Sequence, residues 1–525
     1  MASGTIPAGF PLVEIFPRPA YCTVYDARRH FALNLSFQQV ERLVQLMERP
    51  AQRRDRSGSQ VAGLVRDGDV YTLPRLLSEG LFAPGPFEET FSTDLQKLEE
   101  YVGYCSKYVV TRRFCLEITE SCNFRCRYCP HTMATQNRRH TERRMSFRTA
   151  RNAIDRYFER YVAQASLLSA EKKQRLVTVA PPSLSWYGGE TFLNFAVLVR
   201  SHQYFTSLPW ADHGIPRSSL RFVVNTNLSI LNDAVIRFLA KNDVTTFVSL
   251  DGDREDNDRY RIMGNGEGTW DVVTSNLRKL RSAEPTFYAG KVIIQATSCP
   301  SHNRKRCQTF LRGMGTKYVQ SDMQVPHKFI GDPKSLLQVS RANADKVERV
   351  LRTLSRQTIN ASAKHAVGLI LWKTAKTFDG LQTDVPSGST NLPMRTCPMG
   401  YDALMVSTDG KYHMCHKTDG SLPLGDCNTG YDSVRIAAAY QQFHRMLNRD
   451  ECRSCWAIHF CQLCAAPLLR NGTFTAPTNQ ECDCVRESVK QSFRILQVQS
   501  EHRDVVGQIG GFAPETEGVV TIDSL

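Results

Sequence analysis

Residues 121–130 read SCNFRCRYCP, which sets Cys122, Cys126 and Cys129 at the uneven spacing C-x3-C-x2-C. Zinc ribbons use paired C-x2-C knuckles, and redox dithiols use one such pair. Three thiolates on one loop can instead hold three corners of a cubic iron–sulfur cluster and leave the fourth iron without a protein ligand. An open iron is useful only if something else binds it. A structural zinc site would need four protein ligands, and His131 is the one extra candidate close by.

A second concentration lies near the other end. Of 17 cysteines, nine fall within residues 397–484. Cys397 is followed by Gly410 and Cys415. Cys452, Cys455, Cys461 and Cys464 then come in CRSCWAIHFCQLC, and Cys482 and Cys484 in CDC. Cys427, in LGDCNTG, is an extra ligand or a plain loop thiol. Zinc and iron–sulfur sites share soft thiolate ligands, so spacing alone leaves paired zinc ribbons open beside clusters. Cys22, Cys105, Cys115, Cys299 and Cys307 match no motif and read as core or surface thiols.

These residues need elements to hold them. Between 114 and about 325, β-rich runs alternate with helical patterns: FCLEIT (114–119), SLSWYGG (183–189), LRFVVNTN (220–227), TTFVSLDG (245–252), KVIIQATS (291–298) and KYVQSDMQV (317–325). Helical patterns between them include 148–162 and 233–242. Six β/α units in this order imply an α/β fold with a parallel, right-handed sheet, open or barrel-like. Chemistry in such folds sits at the carboxyl ends of the strands, and the three-cysteine loop follows the first strand. WYGGE (Gly188, Gly189, Glu190), VVNTN (Asn225, Asn227) and SLDG (Ser249, Asp251) end the next three. Asn and Asp after a strand are also ordinary turn formers.

Residues 1–88 read as a separate unit. YCTVYDARRHFALNLS (21–36) offers two strands around a basic turn, and Ser36 with Gln39 forms a capping box that opens a helix. Residues 71–82 suggest a second helix, and the whole resembles a winged helix. Residues 110–325 form the β/α unit, 326–394 a bridge, 395–490 the cysteine-rich unit, and 491–525 a final helix and tail.

The hydrophobic fraction is 41% and the charged fraction 22%, as in a soluble globular protein. Apolar runs are too short to span a bilayer. The N-terminus lacks a signal-peptide pattern, so cytosol is the expected compartment. There thiols stay reduced, which favours metal ligation over disulfides. The net charge of +14 suits solvated loops, an acidic peptide or nucleic acid. No RNP, KH or zinc-knuckle signature supports nucleic acid.

A C-x3-C-x2-C loop with an aromatic, Tyr128, before its last cysteine resembles the radical S-adenosylmethionine (radical SAM) enzymes. That resemblance implies a partial (β/α)6 barrel with a [4Fe–4S] cluster held by Cys122, Cys126 and Cys129. S-adenosyl-L-methionine would chelate the open iron and yield a 5′-deoxyadenosyl radical. It also implies cofactor contacts at Tyr128, Gly188, Gly189, Glu190, Asn225, Asn227, Ser249 and Asp251, and an external one-electron donor such as flavodoxin or ferredoxin. The cysteine-rich unit resembles a SPASM domain, which holds two further [4Fe–4S] clusters. By that resemblance Cys397, Cys415 and Cys464 serve the first, and Cys452, Cys455 and Cys461 the second, closed by Cys482 or Cys484. Its last pair is C-x2-C where the usual order has C-x3-C.

Enzymes with this double architecture mostly act on peptides. The resemblance implies a maturase of ribosomally made precursor peptides that installs a thioether or carbon–carbon cross-link. The 1–88 unit would recognise the leader, with Arg28, Arg29 and His30 at its sheet edge. A formylglycine-forming, sulfatase-maturating enzyme is the alternative, although that group places Asp where His416 stands here. A radical enzyme acting on nucleic acid is a further alternative, resting on the charge alone.

Overall fold

The computed structural model describes residues 13–48, 60–66, 69–72, 76, 81–87, 91–129, 131, 139–298, 303–322, 334–354, 399–416, 418, 420–461, 465–506 and 509, with residues 364, 367, 368, 370, 371 and 374 in the bridge. Cys299, Cys397, Cys464 and most of the helix expected over 71–82 lie outside them.

The N-terminal unit is a three-stranded antiparallel sheet, β1 (Val13–Pro17), β2 (Cys22–Asp26) and β3 (Phe31–Leu35), in that order. Helix α1 (Phe37–Glu48) follows. The Ser36 N–H donates to Gln39 Oε1 at 2.8 Å and the Gln39 N–H to Ser36 Oγ at 3.3 Å, which is the expected reciprocal cap. Val40, Leu43, Leu46 and Met47 form its buried stripe. A hairpin, β4 (Gln60–Arg66) and β5 (Asp69–Thr72), comes next.

The β2–β3 turn is not the open basic edge expected from sequence. Arg28 donates to the carbonyls of Gly85 and Pro86 at 3.0 and 2.9 Å. His30 is buried, 2.8 Å from the Tyr25 hydroxyl, and stacks on His459 at 4.2 Å. The 84–87 segment has taken up Arg28, and packing against residues 459–460 has taken up His30.

The central sheet is built from alternation. Leu116 and Ile118, Leu184 and Trp186, Phe222 and Val224, Thr246 and Val248, and Ile294 and Ala296 are buried under helices. Residues between them on β7 to β10, including Tyr187, Asn225, Ser249 and Gln295, are half-buried on the concave face. Helix α2 (Leu95–Tyr108) precedes this sheet. Strands β6 (Arg113–Thr119), β7 (Ser183–Gly188), β8 (Arg221–Thr226), β9 (Thr245–Ser249), β10 (Val292–Ser298) and β11 (Lys317–Asp322) are consecutive and parallel. All six expected strands form. Helix α3 (Phe147–Ser166) crosses from β6 to β7; the Ser146 hydroxyl accepts from the Thr149 N–H, and Ala150, Ile154, Tyr157 and Tyr161 make its buried stripe. Tyr157 stacks on Phe114 at 4.5 Å. Helix α4 (Phe195–Ser207) and helix α5 (Asp233–Lys241) cover β7 to β9.

Two strands have no counterpart in the sequence pattern. Strand β12 (Ala403–Val406) lies parallel to β6, and β13 (Tyr412–His413) pairs with β12, giving the order β11-β10-β9-β8-β7-β6-β12-β13 among the described residues. The cysteine-rich segment thus joins the barrel sheet directly. Helix α2 lies in the gap left between 88 and 110; its Tyr101 meets Tyr440 of helix α6 (Ser433–Leu447) edge-on at 5.5 Å. Helix α7 (Asn479–Glu501) runs unbroken through the domain boundary expected at 490. Among the described residues no helix is long and apolar enough to cross a membrane.

Candidate functional site

The cysteine loop leaves β6 and is held by the 260–263 segment that follows β9. The Arg125 and Arg127 N–H groups donate to the Ile262 and Tyr260 carbonyls at 2.7 and 2.8 Å, and Phe124 bridges Met263. The Cys129 N–H donates to Cys126 O at 3.0 Å, closing a turn. Cys126 is buried, and Cys122 and Cys129 are half-buried. Burial pushes the Cys122 thiol up to about 12 and the Cys126 thiol up to about 11. Metal ligation would therefore release protons.

Gly188 and Gly189 let the loop and the end of β7 approach closely. A Cβ on Gly188 would sit 2.1 Å from Thr119 O, and one on Gly189 would sit 2.2 Å from Ser121 O and 2.9 Å from Cys122 Cβ. Gly188 also has φ +147. The pair lets the end of β7 lie against the backbone that carries Cys122.

Glu190 and Asp251 differ from the sequence expectation. Both have no exposed surface, so a cofactor cannot touch either without rearrangement. Glu190 accepts from the Thr226 hydroxyl and the Asn227 N–H, both at 2.7 Å, and from the Phe192 N–H at 3.1 Å. Burial raises its pKa against the pull of these donors. Asp251 accepts from the Tyr128 hydroxyl at 2.7 Å and the Thr297 N–H at 2.9 Å. Asp251 fastens the end of β9 to the loop through Tyr128, whereas the Glu190 carboxylate ties the end of β7 to that of β8 and its backbone N–H donates to Ser121 O at 2.9 Å. Tyr128 is half-buried, and its hydroxyl is taken up by Asp251 and by Arg261 Nη1 at 2.6 Å.

Asn225 and Ser249 stand half-buried on the concave face. Asn227 lies at the loop itself, with Nδ2 3.1 Å from Asn123 Oδ1 and 3.8 Å from Cys122 Sγ. The Phe124 N–H points at Cys122 Sγ from 3.4 Å. Donors around the sulfur suit a cluster thiolate. No motif in the sequence singles out His140. Its Nδ1–H donates to Glu120 O at 3.1 Å, which leaves Nε2 facing Cys129 Sγ at 4.0 Å, and burial holds it below the usual imidazole range.

A polar cavity of about 250 Å³ opens beside this loop. Glu117, His131, Arg139 and Arg143 line one side, and Ser407, Asp409, Lys411 and His413 the other. It thus lies between the β6 side and the Gly410 turn of the cysteine-rich segment. His416, next to Cys415, has its ring 4.9 Å from that of Tyr187 at the end of β7. Cys427 is buried against Gly410, whose carbonyl accepts its N–H at 2.9 Å, and belongs to the barrel core.

A second cavity, about 350 Å³, is lined by Cys452, Cys455, Cys461 and Cys482. Thr478 and Glu481 form a capping box that starts α7, so Cys482 falls in its first turn. Cys484 is two residues on, about 200° around the helix; it is buried and does not line the cavity. Four thiols around one void fit a cluster by count and by ligand chemistry. Among the described residues no three His, Cys, Asp or Glu side chains converge on a single-ion site; a cubane, being a body and not a point, has ligands standing apart.

Residues 116–290 match the Radical SAM superfamily model. A search of the curated proteins finds no match. Two solved structures of anSMEcpe are similar. The histidine-tagged form with bound AdoMet is 15% identical, covers 76% of this chain and 97% of that one, and gives a TM-score of 0.51. The native form with bound AdoMet and Cp18Cys peptide is 14% identical, covers 74% and 99%, and gives 0.50. These identities speak for the fold alone. Streptococcus suis SuiB bound to precursor peptide SuiA is 12% identical over 90% of this chain and 98% of that one, with a TM-score of 0.43, too low to bear on the argument. Residues 116–290, from the strand that leads into the cysteine loop to the helices beyond β9, form a radical SAM domain.

Proposed function

We propose that this chain is a radical SAM peptide maturase that takes hydrogen from a ribosomally made precursor and installs a thioether or carbon–carbon cross-link. A radical SAM domain implies an enzyme that uses S-adenosylmethionine and a [4Fe–4S] cluster. Cys122, Cys126 and Cys129 would hold that cluster, and Asn225, Asn227 and Ser249 would contact S-adenosylmethionine. When bound, the two supply a one-electron cleavage that produces a hydrogen-abstracting radical.

The observation that carries the peptide reading is the four-thiol cavity of Cys452, Cys455, Cys461 and Cys482 in the same chain. It supports a SPASM-type auxiliary cluster, the feature the resemblance links to peptide substrates. Cys415 would belong with Cys397 and Cys464 at a further cluster. The fold also resembles anSMEcpe, which was solved with AdoMet and a peptide. Residues of the chain then divide the work. The Tyr128–Asp251 and Glu190–Ser121 contacts keep the loop in place. The polar cavity between Glu117 and His413 would receive the substrate side chain, and its walls would exclude bulk water from it. The N-terminal sheet would take the leader as an added strand, away from the buried β2–β3 turn.

Anaerobically reconstituted protein should release 5′-deoxyadenosine with a strong reductant, and Cys126→Ala should not. Undiminished release from Cys126→Ala would sink the radical assignment. A co-expressed precursor should lose two hydrogens per cross-link by mass spectrometry; an unchanged mass beside active cleavage would count against the peptide reading.

A further inference from the structure

The cavity lined by Cys452, Cys455, Cys461 and Cys482 is not lined by sulfur alone. Arg449 enters it from the N-cap position of the helical turn Asp450–Arg453. Its Nε lies 3.3 Å from Cys452 Sγ, and its Nη2 lies 3.5 Å from Cys482 Sγ. Nη1 donates to Pro477 O at 3.4 Å, just ahead of the α7 cap. One planar guanidinium therefore spans two thiols that come from different elements. Arg486, one turn along α7, places Nη1 4.0 Å from Cys455 Sγ. Two acids share the neighbourhood. Glu451 lies 3.9 Å from Arg449 and Asp483 pairs with Arg486 at 2.5 Å, but their side chains are 65% and 68% exposed. The guanidinium of Arg449 is turned inward with its side chain 21% exposed. Leu447, Ala457, Ile458, Val485 and Asn479 also line the cavity, together with Glu451 and Asp483.

We propose that Arg449, assisted by Arg486, is a positioning residue that both assembles this four-thiol site and sets the reduction potential of its cluster. This rests on reading the cavity as a cluster site. A cluster with four thiolates is anionic, and the reduced form carries one more negative charge than the oxidised form. An anion in a cavity lined in part by apolar side chains gains from a counter-charge held against it, because it is screened less than it would be in bulk water. Hydrogen bonds to cluster sulfurs and nearby net charge are the protein's levers on its potential. Both act here in one direction: N–H donors on Cys452 and Cys482 and a fixed positive charge favour the reduced form. The potential is thereby raised. Arg449 touches two sulfurs at shorter range, and Arg486 one at longer range, so Arg449 dominates. Lysine would keep the charge but not the planar span between two thiols.

The test uses the full chain with Cys122, Cys126 and Cys129 all changed to Ala, which removes the radical cluster's signal. After anaerobic reconstitution, iron content and the midpoint of the one-electron reduction by dithionite are read by electron paramagnetic resonance. A further Cys482→Ala change identifies the signal that belongs to this cavity. Arg449→Gln should move that midpoint to more negative potential, Arg486→Gln should move it less, and Arg449→Lys should fall between Arg449→Gln and the parent. Loss of this site's iron in Arg449→Gln with retention in Arg449→Lys also supports the proposal. An unchanged midpoint in Arg449→Gln, or indistinguishable behaviour of the Gln and Lys variants, overturns it while the cluster reading stands. If Cys455→Ala and Cys482→Ala each remove no iron and no signal, the cluster reading fails and takes this inference with it.

Discussion

The hydroxyl of Tyr128 donates to Asp251 Oδ2 across 2.7 Å, joining the last turn of the cysteine loop to the end of β9. Arg261 Nη1 meets the same hydroxyl at 2.6 Å, and its charge is buried beside Cys126 and Asp251. The loop is thus braced by a three-residue polar network, not by its own turn alone.

Tyr128→Phe should remove one arm of that network and cost about 1–3 kcal/mol, because a buried carboxylate loses a donor. Asp251→Ala should cost more, about 3–5 kcal/mol, since it leaves the Tyr128 hydroxyl and the Thr297 N–H without their acceptor and removes a negative charge near the buried Arg261. Apparent urea midpoints would rank the two. Equal midpoints for Asp251→Ala and wild type would remove the network from the account.

Gly189→Ala should displace the Cys122 backbone, because the new methyl would overlap Ser121 O. The expected outcome is a loss of about four irons per chain, one cubane, with the four-thiol cavity still loaded. Gly264→Ala is the control, having no neighbour within 4 Å of its added carbon. Normal loading of the radical site in Gly189→Ala would show that the loop tolerates the shift.

Cys482→Ala and Cys484→Ala should part company. The first should lose cluster iron, and the second should retain it and cost about 1 kcal/mol of packing, as a small buried group. Iron analysis of both in the triple Cys-to-Ala background distinguishes them. Iron loss confined to Cys484→Ala would reverse the assignment.

His202 sits between Phe222, at 4.4 Å, and Phe238, at 5.3 Å, and burial lowers its pKa to about 4. Its folded pKa lies below the unfolded value, so the unfolded chain binds the proton first. The neutral ring's contribution is complete above about pH 6.5 and is lost as pH falls toward about 4. Stability should decline over that window, and His202→Gln should flatten the decline. Parallel pH profiles for the two proteins would reject this.

Much of the scaffold is written locally. The six strand runs from 114 to 325, the Ser36–Gln39 cap and the position of the cysteine loop after its strand all follow from short-range pattern, since period-2 alternation and cap chemistry act within a few residues. The capping box at Thr478–Glu481 is equally local, and with helix periodicity it suffices to set Cys482 and Cys484 on different faces. What the tertiary structure alone decided is where faces meet. Strand β12 finds β6 from the far end of the chain, His30 stacks on His459, and Arg449 reaches Cys482. The same holds for Glu190 and Asp251, whose types suggest ligand contacts but whose burial assigns them to joining strand ends and bracing the loop. No local periodicity encodes such encounters; they depend on which surfaces the packed sheet leaves available, and on the cost of burying a polar group without a partner.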